Sequence, residues 1–280
     1  MISIPVGHYF EVMINWLTNN WSGFFKGVEA FVDGLIDFFE AILTFPHALV
    51  MVVLFTALAW WATGWKKYGL ALFSVIGFVL IMGMGLWTRT MQTLALVLVS
   101  TLMALFIGIP LGIWSGRRRG VERVVRPILD FMQTMPAFVY LIPAVFFFRI
   151  GVVSAMIATV VFSMPPVIRL TGLGIRQVSK EVVEAATSFG ANEWQKLTKV
   201  QLPLAKPTIM AGINQCIMLA LSMVVIAAMI GAKGLGASVL RGIQRLDIGG
   251  GFASGLAVVI LAIILDRVTQ SNKEKKLAGE

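Results

Sequence analysis

Seven apolar stretches dominate this sequence, and they restrict the possible fold more than any other feature does. Only 13% of the 280 residues are charged, whereas soluble domains average about a quarter. Several stretches reach the ~20 residues that an α-helix needs to cross about 30 Å of hydrocarbon. Backbone groups find no water inside a bilayer, and a helix satisfies all of them within one segment. The sequence therefore predicts an all-α, polytopic membrane protein with about seven transmembrane helices.

The boundaries of these helices follow from hydropathy and from the positions of proline. The predicted spans cover residues 47–64, 69–87, 91–114, 128–148, 152–170, 207–230 and 252–265. Pro136 and Pro143 interrupt the fourth span, because proline lacks a backbone donor and clashes with the preceding turn. The sixth span is predicted to start at Pro207, since proline fits a first helical turn.

Glycine recurs every four residues in the third predicted span, at Gly108, Gly112 and Gly116. A stripe of small residues on one helix face lets a second helix approach closely. We therefore expect the third span to form a tight contact with another helix along this stripe.

An amphipathic region, residues 1–45, precedes the transmembrane domain at residues 46–268. The charged residues of its second half are spaced three or four apart, which places them on one helix face; they are Lys26, Glu29, Asp33, Asp37 and Glu40. Such a helix either lies in the membrane interface or packs against the rest of the protein with its charges solvated. Residues 269–280 are predicted to form a cytoplasmic tail.

One polar segment, residues 176–207, lies between the fifth and sixth predicted spans. It contains Lys180, Lys196, Lys199 and Lys206. A segment with this many charges is too costly to place in hydrocarbon. We therefore expect it to face water as a loop between two spans.

Capping residues predict two short helices within this polar segment. Ser179 is a suitable N-cap, and Gly190 is the residue type that ends a helix in a left-handed turn. Asn192 and Gln195 have the spacing of a capping box at the start of a second helix. Pro203 is expected to stop that second helix.

The same segment resembles the "EAA" loop of permease subunits in binding-protein-dependent ABC importers. The matching residues are Glu184, Ala185, Ala186, Gly190, Val200, Leu202 and Pro203. Val200 stands where isoleucine is usual. The resemblance implies that residues 176–207, the coupling loop, form coupling helices that dock into a groove on a cytoplasmic ATPase subunit. An ordinary amphipathic cytoplasmic loop is the alternative, while the flanking spans disfavour a DNA-binding helix-turn-helix and any nucleic-acid partner.

A second resemblance narrows the type of importer. Residues 133–143, Asn214-Gln215 and the run from Met218 to Met229 look like the subfamily that imports glycine betaine, proline betaine and related osmoprotectants. The resemblance implies a homodimer of this permease, two ATPase subunits and an extracytoplasmic substrate-binding protein. It places ATP and magnesium on the ATPase and leaves this chain without a cofactor.

The sequence contains no arrangement of residues that indicates catalysis. A phosphate loop of the Gly-x-x-x-x-Gly-Lys-Ser/Thr type is missing, so the chain is not predicted to hydrolyse ATP. His8 and His47 have no companions at ligand spacing, which argues against a metal site. The centres of the predicted spans contain no charged residue, which disfavours an ion-coupled carrier or channel. An ABC importer for another small polar solute, such as an amino acid, stays open as an alternative.

Kinked helices with polar neighbours are candidates for the translocation path. Proline frees backbone carbonyls that must find partners or line a wet path, although such kinks also serve packing alone. The candidate residues are Gln133, Thr134, Pro136, Tyr140, Pro143, Pro165, Pro166, Asn214 and Gln215.

Basic residues predict the orientation in the cytoplasmic membrane. With the coupling loop inside, 17 of the 23 Lys and Arg residues fall on the inner side, as the positive-inside rule requires. The N-terminus is then outside and the C-terminus inside. Arg117, Arg118 and Arg119 form an inner-surface basic cluster, which either attracts anionic membrane lipid or only fixes the topology.

Overall fold

The computed structural model describes residues 6–63 and 68–277, and the regular structure within these two ranges is helical throughout. The α-helices are α1 (Val6–Asn20), α2 (Ser22–Thr44), α3 (Ala48–Thr63), α4 (Tyr68–Gly83), α5 (Trp87–Arg117), α6 (Arg119–Thr134), α7 (Leu141–Phe148), α8 (Val152–Ser163), α9 (Pro165–Arg176), α10 (Lys180–Ser188), α11 (Glu193–Gln195), α12 (Leu202–Ala227), α13 (Leu235–Arg245) and α14 (Ile248–Leu277). Two 3₁₀ helices, Ala137–Tyr140 and Ala228–Ile230, and a π-helix, Lys196–Gln201, join some of them.

The helices confirm the all-α, polytopic class. Four helical stretches of the described chain are long and apolar enough to cross a membrane, namely Trp87–Arg117, Val152–Arg176, Glu193–Ile230 and Ile248–Gln270. Two bent pairs raise the number to six if each pair forms one span. The shorter apolar helix α4 completes the set of seven apolar segments.

The predicted fourth span, residues 128–148, is not one straight helix. The chain breaks at Pro136, as expected, and the helical stretches on either side are bent by 112°. Residues 128–134 belong to α6, which starts at Arg119 and has charged residues along its length. Pro143 causes no second break because it lies in the first turn of α7, where backbone donors lack intrahelical partners anyway.

The glycine stripe on α5 forms the predicted close contact, and its partner is α9. A Cβ atom added at Gly112 would lie 2.6 Å from Cβ of Thr171 and 2.8 Å from the carbonyl oxygen of Ile168. At Gly116, an added Cβ would lie 3.0 Å from the carbonyl oxygen of Gly172. Only glycine leaves room for the two backbones to touch in this way.

Helix α2 packs against the transmembrane helices along one face. Val32 and Ile36 are buried in the same cluster as Val99 of α5. Glu40 accepts a hydrogen bond from Nε2 of Gln92 at 2.8 Å. The axis turns by 98° between α2 and α3, so α2 runs across the direction of the following helix. Helix α2 thus packs against the rest of the protein, while Phe24, Phe31 and Phe38 on the same helix stay exposed; both positions that the charge spacing allowed stay predictions.

The C-terminal helix is longer than its predicted span, residues 252–265. Helix α14 includes Gly249, Gly250 and Gly251 at its start and continues to Leu277 without a break at Val268. Near its start, α14 closely approaches α13, since a Cβ added at Gly242 would lie 2.5 Å from Cα of Gly251. That approach packs α13 directly against the first turn of α14.

The α5–α9 contact predicts opposite effects for two Gly→Ala substitutions. Gly112→Ala should destabilise the folded protein by about 1–3 kcal/mol, the usual cost of overpacking. Gly255→Ala in α14 is the matched control, because an added Cβ there meets nothing within 4 Å. It should gain the helix propensity of alanine without a clash. Thermal unfolding of the detergent-purified protein, followed by size-exclusion chromatography, measures both, and equal midpoints would contradict the packing argument.

Candidate functional site

The first half of the coupling loop ends in the left-handed turn that the sequence predicts. Gly190 has a φ of +80° and donates its backbone N–H to Thr187 at 2.9 Å, while Ala191 donates to the carbonyl of Ala186 at 3.0 Å. These two bonds form a Schellman motif. Ala186 of the Glu-Ala-Ala motif thus supplies a carbonyl that closes the turn, while Gly190 supplies the conformation.

The second half starts with the predicted capping box. The side-chain oxygen of Asn192 accepts a bond from the backbone N–H of Gln195 at 2.9 Å, and the side chain of Gln195 accepts from the backbone of Asn192 at 3.0 Å. Ser179 occupies the N-cap position of α10 without a side-chain cap bond. Its hydroxyl lies 3.5 Å from a carboxylate oxygen of Glu181.

Pro203 does not stop the second helix, contrary to the sequence-based expectation. Helix α11 continues through the π-helix into α12, and the stretch Glu193–Ile230 contains 38 residues. Within the π-helix, Leu202 donates its N–H to the carbonyl of Leu197, five residues earlier. This wider turn gives space to a proline that lacks a donor and would clash in a regular α-helix. The helix that contains the sixth predicted span therefore starts well before Pro207, and the second half of the coupling loop is continuous with it.

Packing and charge fix the coupling loop to the transmembrane helices. Leu197 is 5% exposed and shares a small buried cluster with Ile175 of α9. Glu193 pairs with Arg117 at the end of α5 and with Lys196 at 2.5 Å. The hydrogen bond and charge of Lys196, and then the charge of Arg117, hold the pKa of the Glu193 carboxyl below its ordinary range. Glu193 is therefore ionised at neutral pH.

The outer surface of the coupling loop is unusually apolar for a polar segment. No residue of α10 is buried, and Glu184 and Ala185 are both exposed. Phe189 is 92% exposed and Trp194 is 70% exposed. An open groove of about 840 Å³ runs between Trp194 and α5. Large aromatic residues are enriched at protein–protein interfaces relative to the rest of a protein surface.

Sequence reasoning missed Phe189 and Trp194, although a signal was present. Both are large aromatic residues inside the most polar segment of the chain, and they flank Gly190. Neither side chain is buried in the apolar core, because the coupling loop projects from the transmembrane helices. At the end of the motif, Val200 and Leu202 are half-buried, while Pro203 is exposed.

The candidate path residues fall into two groups in the structure. The exposed group is Gln133, Thr134, Pro136 and Gln215. The buried group is Tyr140, Pro165, Pro166 and Asn214, with Pro143 half-buried. The 3₁₀ helix Ala137–Tyr140 and α7 continue the exposed surface with three large apolar residues spaced four apart, Phe138, Ile142 and Phe146.

Contacts inside the chain account for most of the buried group. The Tyr140 hydroxyl donates to the carbonyl of Met132 across the break at Pro136. A Cβ added at Gly212 would lie 3.1 Å from the carbonyl oxygen of Pro166, so α9 and α12 meet closely there. The side-chain oxygen of Asn214 is buried without a hydrogen-bond partner among the described residues.

The inner-surface basic cluster occupies the junction of two helices. Arg117 ends α5, Arg118 has an extended backbone, and Arg119 starts α6. All three residues are exposed. Arg117 pairs with Glu193, and Arg118 lines the same groove as that ion pair. Lys66 and Lys67, expected on the same side, lie outside the described residues.

Known proteins with similar sequences are permease subunits. The chain is 53% identical over 276 residues to the glycine betaine/carnitine transport permease protein GbuB of Listeria monocytogenes, covering 98% of both chains. It is 51% identical to the glycine betaine transport system permease protein OpuAB of Bacillus subtilis, covering 98% of this chain and 96% of the relative. It is 48% identical to the glycine betaine/proline betaine permease protein ProW of Escherichia coli, covering 96% and 75%.

Solved structures share the fold. An inward-facing conformation of the MetNI methionine ABC transporter matches with a TM-score of 0.59 and 24% identity, over 70% of this chain and 96% of that one. Residues 108–272, more than half of the chain, match the family described as "Binding-protein-dependent transport system inner membrane component". This range includes the glycine stripe, the path candidates and the whole coupling loop. The chain therefore belongs to the family of binding-protein-dependent transport system inner membrane components.

Proposed function

We propose that this protein is the permease subunit of an ATP-driven importer that moves glycine betaine or related osmoprotectants across the cytoplasmic membrane. The observation that carries the proposal is the coupling loop, whose exposed aromatic surface projects from the transmembrane helices beside the Glu-Ala-Ala motif. A subunit of this kind is not an enzyme, and ATP with magnesium belongs to the partner ATPase.

The solute class is supported by the names of the relatives. Glycine betaine, carnitine and proline betaine in those names each contain a quaternary ammonium group and a carboxylate. More distant relatives are named for trimethylamine N-oxide. All of these solutes are small, compact and electrically neutral overall, so they need little charge compensation in transit. An amino acid or another small polar solute is the alternative within the same class of importer.

The assembly contains a second copy of this chain, two ATPase subunits and an extracytoplasmic binding protein. The exposed path residues Gln133, Thr134, Pro136 and Gln215 support a path shared between two copies, because a single chain leaves them uncovered. Buried Pro165, Pro166, Tyr140 and Asn214 then shape the helices behind that path. The exposed Phe189 and Trp194 support docking of an ATPase on the coupling loop.

The orientation places the N-terminus outside and the C-terminus inside. It is supported by the concentration of basic residues on the side of the coupling loop. The exposed guanidinium groups of Arg118 and Arg119 are then close to the inner leaflet, where each adds roughly 1 kcal/mol of attraction to anionic lipid. Arg117 contributes less to such a lipid site, since it pairs with Glu193.

Uptake in vesicles tests the function directly. Vesicles containing this permease and its ATPase subunits should accumulate labelled glycine betaine only when internal ATP and the cognate binding protein are both supplied. A protonophore or sodium ionophore should leave the initial rate unchanged, because ATP supplies the energy. Uptake without ATP that an ionophore abolishes would contradict the proposal and indicate an ion-coupled carrier.

The turn at Gly190 predicts an uncoupled variant. Gly190→Val places a branched side chain at φ +80°, which costs about 1–2 kcal/mol and lowers the ratio of correct to incorrect turn conformations roughly five- to thirty-fold. Uptake should fall, by up to this factor, while membrane insertion stays normal. Gly120→Val is the control, since Gly120 is an exposed glycine with open space around it. Equal uptake by both variants would count against coupling through this turn.

Two cysteine substitutions of matched type test the orientation. Ser22 and Ser188 are both exposed, and the native Cys216 is buried. In intact cells, Ser22→Cys should react with a membrane-impermeant thiol reagent, while Ser188→Cys should react only after permeabilisation. Labelling is read by mass shift on a gel. The reverse pattern would require the opposite orientation.

A further inference from the structure

Two ion pairs join α6 to α9 near the coupling loop. Nη2 of Arg176 lies 3.1 Å from a carboxylate oxygen of Glu122, and Arg169 pairs with Asp130. The later residue on α9 pairs with the earlier residue on α6, so the two helices run antiparallel. The pairs are about 12 Å apart along α6 and about 10 Å apart along α9. They therefore fix the register of one helix against the other at two points.

Apolar packing between α6 and α9 is slight by comparison. Leu129 is the buried residue of α6, and a cavity of about 340 Å³ opens between the helices beside Leu129 and Leu173. On its other side, α9 touches the backbone of α5 through the glycine stripe. Helix α9 is thus held rigidly to α5, whereas α6 is attached mainly by charged side chains.

The position of these pairs connects the coupling loop to the translocation path. Arg176 is the last residue of α9, three residues before the N-cap of α10. It also donates to the carbonyl of Ser115 at 3.4 Å. Helix α6 ends at the exposed residues Gln133 and Thr134, next to the break at Pro136. Glu122 and Asp130 therefore lie between the loop and the path.

We propose that the Glu122–Arg176 and Asp130–Arg169 pairs form a clasp that transmits movement of the coupling loop to the end of α6. The proposal rests on the proposed role of residues 176–207 as the ATPase-docking segment. Partly exposed ion pairs contribute little to stability, so this clasp acts on the relative position of two helices and not on the fold. Glu122, Asp130, Arg169 and Arg176 are positioning residues for transport.

A charge-swap experiment with a conformational readout tests the clasp. Gln133→Cys, in a Cys216→Ala background, reports on the end of α6 through its rate of reaction with a water-soluble thiol reagent. The complete transporter is used, without nucleotide and after trapping with ATP and vanadate. In the parent, the two rates should differ by about five-fold or more, the usual range of coupling between sites.

Single reversals should remove this difference, and the swap should restore it. Asp130→Arg and Arg169→Asp each place like charges together, so the labelling rate should stop responding to ATP. The double variant Asp130→Arg/Arg169→Asp recreates the pair in the opposite sense. Arg123→Glu is the control, because it reverses a charge on the exposed side of α6, away from the cavity. Uptake is measured in parallel and should follow the labelling response.

Each outcome decides the proposal. An unchanged ATP response in both single reversals overturns the clasp, as does a swap that fails to restore the response while the protein assembles normally. A parent whose labelling ignores ATP overturns it as well. If the reversals and the swap behave as expected but the transporter without the Gln133→Cys substitution does not accumulate glycine betaine, the clasp stands and the proposed solute is wrong.

Discussion

The contact between α5 and α9 is the interaction on which the other features depend. Gly112 and Gly116 bring the two backbones together at distances that no other residue allows. The contact holds Arg176 beside the end of α5 and Ile175 beside Leu197. It therefore determines where the coupling loop leaves the transmembrane helices. In hydrocarbon, where no hydrophobic force joins helices, close packing of small residues is the main source of such rigidity.

The π-turn at Lys196–Gln201 gives the coupling loop a mechanical character that a flexible linker would lack. Because α11 continues into α12, the residues proposed to face an ATPase and the apolar residues of α12 belong to one helical stretch. A movement of Trp194 would then be passed directly to the N-terminal part of α12. The first half of the loop differs, since the Schellman turn at Gly190 separates α10 from that stretch. The second half of the coupling loop is therefore a direct extension of α12, whereas the first half is joined to it only through the turn at Gly190.

The features that depend on residues close together in the chain could be predicted from the sequence. The turn at Gly190, the Asn192–Gln195 capping box and the glycine stripe each depend on residues close together in the chain, and each is observed. The break at Pro136 was predictable for the same reason. The prediction at Pro203 was wrong because two local effects compete there. Proline usually ends a helix, but the preceding π-turn makes room for it and the helix continues.

Features set by distant contacts could not be predicted from the sequence. The charges of α6 were visible, but their pairing with Arg169 and Arg176 requires the antiparallel arrangement of α6 and α9. The exposure of Gln215 beside buried Asn214 likewise depends on which face of α12 meets α9. Hydropathy alone cannot separate these faces, because α12 is apolar nearly all round.

The exposed aromatic pair on the coupling loop has a consequence for the life of the protein in the cell. Phe189 and Trp194 present apolar surface to water on a loop with no cover of its own. Surface of this kind promotes aggregation when its partner is missing, and proteins left in such a state are removed by chaperones and proteases. If an ATPase covers this pair, as proposed above, permease synthesised in excess of the ATPase would be short-lived, and the abundance of the two subunits would be tied together without a dedicated regulator.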